Sequence, residues 1–123
     1  MQPSRRVLDV FERLVSEIQP AHLVTLAADV GSHLEVIRAA ARQNELLPLD
    51  LAEEIAKKLR LLLQGLQDLP AEHQTLVIGA ARYFVSTQDV NPDTQTVLGL
   101  DDDASVLNYV LRTIGRTDLL IDP

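Results

Sequence analysis

The chain has 123 residues, enough for one domain, and its 46% hydrophobic content with only 3% aromatics leaves Leu, Val, Ile and Ala to fill the interior. It has no Cys, which excludes disulfides, thiolate chemistry and Cys-ligated zinc or iron–sulfur centres. A net charge of −7 argues against nucleic-acid binding, which needs clustered Lys and Arg, and against anionic membrane surfaces.

Ser4 is placed to cap a first helix that ends before Pro20. Val7, Leu8, Phe11, Leu14, Val15 and Ile18 recur every three or four residues and form one apolar stripe. Asp9 and Glu12 interrupt the start of this pattern, which is unlike a secretory leader. Pro20 suits the first turn of a second helix that runs to about Asn44. Leu23, Leu26, Ala27, Val30, Leu34, Ile37 and Ala41 are its apolar positions, with a weak point at Gly31 and a capping-box pattern at Ser32 and Glu35.

Asp50 followed by Glu53 reads as the start of a third helix. Leu51, Ile55, Leu59, Leu62 and Leu66 give its stripe, and Leu61 and Leu63 widen the apolar surface beyond it. That surplus suggests a central position or a partner surface. Pro70 opens a fourth helix to about Val85, nearly apolar all round after Thr75 and expected to be the most buried. Its small residues Gly79, Ala80 and Ala81 permit close approach of a neighbour. No apolar run reaches the roughly 20 residues that a spanning helix needs. The expectation is a soluble, cytoplasmic protein.

Between the fourth helix and a fifth, from about Asp103 to Gly115, lies a connection dense in Asp, Pro and Gly. Residues 86–123 carry seven acidic and two basic side chains, so most of the negative charge belongs to this region. Gly115 suits a helix C-terminal cap, and Leu119, Leu120 and Ile121 are available to pack. The fold expected is all-α: one compact domain over residues 1–123, about five helices, the last two forming a hairpin around the acidic connection.

The connection has a recognisable form: Tyr83, Ser86, Asp89, Pro92 and Asp93, then Gly99, Asp102, Asp103 and Ala104. In these residues the chain resembles the YkvA-like family, short bacterial helical proteins of largely unassigned function. The resemblance covers about residues 78–112. It implies a helical hairpin and, for many members, membrane association, but brings no catalytic residues. Thr87 stands where the family usually has Pro, and Gln88 and Asn91 replace apolar residues. These polar replacements count against membrane association.

The aspartates have three chemical readings, of which acid–base catalysis by a pair of the carboxylates would need a raised pKa and a substrate pocket, neither of which the sequence shows. As structural groups, Asp101 to Asp103 cap the fifth helix, while Asp89 and Asp93 hold turns. As ligands, Asp89, Asp93, Asp102 and Asp103 converge on a hard cation such as Mg²⁺, Mn²⁺ or Ca²⁺ if the hairpin closes. Arg82 and Arg112 are the nearby cations expected to pair with them. Asp29 and His33, four residues apart, offer a two-ligand edge, whereas His22 and His33 lie about 16 Å apart along a helix and cannot share one metal. His73 is expected to be exposed. No phosphate loop, nucleophile elbow or His-Glu-x-x-His motif is present. The function this supports is a non-enzymatic interaction or scaffold module, self-associating or docking a protein partner. The alternatives are a divalent-metal-binding protein and a peripheral membrane protein.

Overall fold

The computed structural model describes residues 3–16, 20–45, 47–86 and 100–121. These form five α-helices: α1 (Arg5–Ser16), α2 (Pro20–Ala41), α3 (Leu49–Gln64), α4 (Ala71–Ser86) and α5 (Leu100–Thr113). Two short 3₁₀ turns, Leu66–Asp68 and Thr117–Leu119, follow α3 and α5. The all-α architecture is the one the sequence predicts.

Local chemistry sets several of the helix ends. Ser4 Oγ accepts from the Val7 amide at 3.2 Å and so caps α1. α2 runs unbroken through Gly31, and Ser32 and Glu35 start no new segment. α3 begins one residue before Asp50, with Pro48 at the cap and no side-chain cap bond. Asp50 therefore sits in the first turn, where its charge complements the helix dipole. α5 closes as predicted at Gly115, whose φ of +82° suits glycine. There the Gly115 amide donates to the Arg112 carbonyl (3.3 Å) and the Arg116 amide to the Leu111 carbonyl (2.8 Å), a Schellman arrangement.

α4 packs against all four other helices and is the axis of the bundle. Val77, Ile78, Ala80, Ala81, Tyr83 and Phe84 are buried along it. Its small residues do allow a close neighbour, and that neighbour is α1. A Cβ built at Gly79 would overlap Val15 and come within 3.0 Å of Phe11 Cε1. Phe11 is 1% exposed and meets Tyr109 of α5 edge-on, with ring centroids 6.1 Å apart. α1, α4 and α5 thus share one packed junction.

α5 departs from the one-sided stripe. Nine of its 14 residues are buried, including Asp103, Ser105 and Asn108, so α5 is at least as enclosed as α4. α3 also uses more of its Leu content than a stripe requires. Leu59 and Leu62 are buried and Leu51, Leu63 and Leu66 pack against the core, which leaves Leu61 outward at 49% exposure. The partner surface expected on α3 contracts to that one residue, set among exposed Glu54, Lys57, Arg60 and Gln64.

Candidate functional site

The acidic joint begins where α5 begins. α5 starts at Leu100, three residues before the predicted position. Asp101, Asp102 and Asp103 therefore occupy its first turn and are not its cap. Each complements the dipole there. Consecutive helix positions are about 100° apart, so the three carboxylates leave the helix in different directions. Asp101 is exposed, Asp102 is half-buried and Asp103 is buried. Ser105 Oγ turns back to donate to the Asp102 carbonyl at 2.8 Å.

The electrostatics tie this turn to the end of α4. Burial raises the Tyr83 phenol well above its ordinary pKa, and the charges of Asp102 and Asp103 raise it further. Asp102 itself is raised, first by burial and then by Asp101. Tyr83 in the last turn of α4 thus lies within the field of the first turn of α5. That is the arrangement of a helical hairpin, and it gathers half-buried negative charge at the joint. Asp89 and Asp93, which would complete the four-carboxylate set, lie outside the described residues, as do Thr87, Gln88, Asn91 and Pro92. Among the described residues, no group of three or more His, Cys, Asp or Glu side chains is placed to hold a metal ion.

The other candidates resolve differently. Arg82 donates to the Leu14 carbonyl near the end of α1 at 2.8 Å, while Asp89 and Asp93, two of the aspartates it was expected to pair with, lie outside the described residues. Asp29 accepts from Thr25 Oγ1 at 3.0 Å on the exposed side of α2. His33 enters the core and meets the Phe84 ring edge-on at 4.7 Å, so Asp29 and His33 do not form a ligand edge. His73 is half-buried, where exposure was expected. The side chain of His22 lies outside the described ones.

Sequence reasoning missed the outward face of α2. Ala27, Ala28, Ser32, Val36 and Ala39 are exposed there, Val36 at 55%. Glu35 lies among them, and Arg38 pairs with Glu35 and also with Glu53 of α3 at 3.2 Å. The exposed back of α3 is charged, whereas that of α2 is mostly Ala, Ser and Val. The signal was present in the sequence: once the core stripe of α2 is removed, few charged residues remain to solvate its other side.

No helix among the described residues is long and apolar enough to cross a membrane. No family model matches the chain, and neither curated proteins nor solved structures give a match.

Proposed function

We propose that this chain is a non-enzymatic interaction module that associates with a second copy of itself through the outward face of α2. The observation that carries this reading is the apolar, small-residue character of that face, with Val36 at 55% exposure. Ala28, Ser32 and Ala39 let a second helix approach closely, as small residues do at helix–helix contacts. Charge points to the same surface. Two copies carry −7 each, so association is favoured where the local charge is low. On α2 the Glu35 carboxylate is paired with Arg38, and the other exposed carboxylate, Asp29, accepts from Thr25 Oγ1. Gly31 and Ser32 lie at the middle of α2, so an antiparallel pairing about a two-fold axis sets small residues against small residues.

Sedimentation across a range of concentrations tests the reading. The parent chain is expected to dimerise, and the Ala28→Glu, Val36→Glu double variant to stay monomeric with unchanged helicity. A parent that is monomeric at every concentration removes the proposal.

A second reading rests on the placement of Asp102 and Asp103 in the first turn of α5, near Tyr83 of α4. Half-buried negative charge at the joint would be relieved by a divalent cation held by Asp89, Asp93, Asp102 and Asp103. Calorimetric titration with Mg²⁺, Mn²⁺ and Ca²⁺ decides it. Absence of heat and of thermal stabilisation, with Asp93→Asn indistinguishable from the parent, eliminates the cation.

A further inference from the structure

Leu61 is the large apolar side chain that α3 turns to solvent, at 49% exposure. Its place relative to α2 follows from one contact between the helices. Arg38 pairs with Glu53 at 3.2 Å, and these residues lie three before the end of α2 and four after the start of α3. The two helices are therefore an antiparallel hairpin, in which each step back along α2 matches a step forward along α3. Glu53, Lys57 and Leu61 follow at four-residue spacing on one stripe of α3, and Gly31 and Arg38, seven apart, share one side of α2. Leu61 thus stands beside Gly31, level with it to within about 1.5 Å by the helical rise. At Gly31 there is open space, since a Cβ built there meets no atom within 4 Å. α2 and α3 together present a projection and a gap at one level of one surface.

We propose that in the dimer Leu61 of each copy seats in the open space over Gly31 of the other, which makes α3 part of the interface and fixes the pairing as antiparallel. This rests on self-association through α2 and adds α3 to the contact. A two-fold interface is self-complementary, so a surface that carries a projection must also carry the space that receives it. With the two-fold axis at Gly31 and Ser32, an antiparallel second copy brings its Leu61 to within about 3 Å of the level of Gly31, on the flank of α2 that bears the Arg38–Glu53 bridge. A parallel pair would instead carry α3 of the second copy to the other flank of α2. Ala and Ser on α2 let the helices approach but bury little apolar area, and Leu61, present twice by symmetry, supplies it. Charge permits the approach. From Asp29 to Arg60 the chain has six acidic and five basic side chains, a balance of −1 against −7 for the whole, so a second acidic copy meets little net charge there.

Sedimentation of the full chain and three variants tests this, with circular dichroism as the check on folding. Leu61 is exposed and Gly31 opens onto free space, so neither substitution disturbs the core. Leu61→Ala removes the projection and is expected to weaken dimerisation about tenfold or more. Gly31→Leu fills the space and is expected to weaken it as well, although it adds apolar surface that nonspecific association would favour. Combining the two moves the projection to α2 and the space to α3, so the double variant should associate more tightly than either single one. The proposal is overturned if either single variant dimerises as the parent does, or if the double variant is weaker than both. The α2 face then stands without Leu61, provided that Ala28→Glu, Val36→Glu still abolishes the dimer. A parent that is monomeric at every concentration removes both readings.

Discussion

Gly31 and Gly79 lie inside helices, and replacing each with Ala should move stability in opposite directions. Gly in a helix interior costs roughly 0.5–1 kcal/mol relative to Ala, so both substitutions gain about that much from the backbone. At Gly31 the new methyl meets nothing within 4 Å, so the gain stands. At Gly79 it overlaps Val15 and presses on Phe11 Cε1 at 3.0 Å. The Phe11 ring has little room to retreat, being buried and held edge-on against Tyr109. Val15 is half-buried and yields more easily, so part of the strain goes into lifting the end of α1 away from α4. Overpacking of this kind costs about 1–3 kcal/mol.

The propensity gain cancels in the difference between the two variants, which isolates the clash at about 1–3 kcal/mol. For a chain of this size each kcal/mol shifts Tm by about 4 °C, so the melting points should separate by about 4–12 °C. Far-UV circular dichroism melts and urea titrations measure it, with Gly31→Ala above the parent and Gly79→Ala below Gly31→Ala. Adding Val15→Ala to Gly79→Ala should cost less than Val15→Ala costs in the parent, because it vacates the space the methyl needs. If Gly79→Ala melts at or above Gly31→Ala, α1 does not pack on α4 as described.

Three further outcomes follow from named contacts. Phe11→Ala empties the junction of α1, α4 and α5 and should destabilise by about 3–5 kcal/mol in urea unfolding, a large share of a typical domain's stability. Arg82→Met keeps the aliphatic stem but removes the bond to the Leu14 carbonyl. It should cost about 1–2 kcal/mol, with loss of exchange protection concentrated at the end of α1. Asp102 holds its proton more tightly in the fold than in the unfolded chain, because burial and Asp101 raise it. Its contribution to stability is therefore fully present below the ordinary carboxylate range and lost as pH rises through the raised folded value. Asp102→Asn should gain on the parent as pH rises through that window, read from melts at several pH values, and a gap that shrinks with rising pH would contradict the assignment.

The features that were legible in the sequence are those with a local cause. Ser4 caps α1 because its hydroxyl reaches an amide three residues on, and Gly115 ends α5 because its φ is positive. The α1 stripe was readable for the same reason, since Val7 and Phe11 are core at helical spacing. What failed depends on partners distant in sequence. Asp fits a cap and a first turn equally well, so the sequence could not distinguish Asp101 to Asp103 as one or the other. Arg82 has aspartates near it in the chain, but one of its donors goes to a carbonyl 68 residues away, which no local pattern announces. The Leu-rich α3 left a central position and a partner surface both open, because the demands of α2, α4 and α5 on it are not local. Asn108 belongs to no sequence pattern, and its partner, the backbone of Ile121, is brought to it only by the turn of the chain after α5.

The two functional readings differ in their response to ions, and that response can separate them where stoichiometry does not. α2 packs on α3 and α4, whereas α5 packs on α4, α3 and α1, so the outward face of α2 and the acidic turn of α5 belong to different sides of the bundle. A dimer formed through α2 keeps the carboxylates of the first turn of α5 out of its interface. Its two copies still repel through their net charge of −7 each. Salt shortens the Debye length from about 30 Å at 0.01 M to about 10 Å at 0.1 M, which weakens that repulsion without touching the apolar contact. Dimerisation through α2 should therefore strengthen modestly as monovalent salt rises and ignore a chelator. Association bridged by a cation at the joint should weaken with salt and collapse with the chelator. Sedimentation at two salt concentrations, with and without EDTA, reads both. A dimer lost on chelation but retained in the Ala28→Glu, Val36→Glu variant would transfer the interface from α2 to the acidic joint.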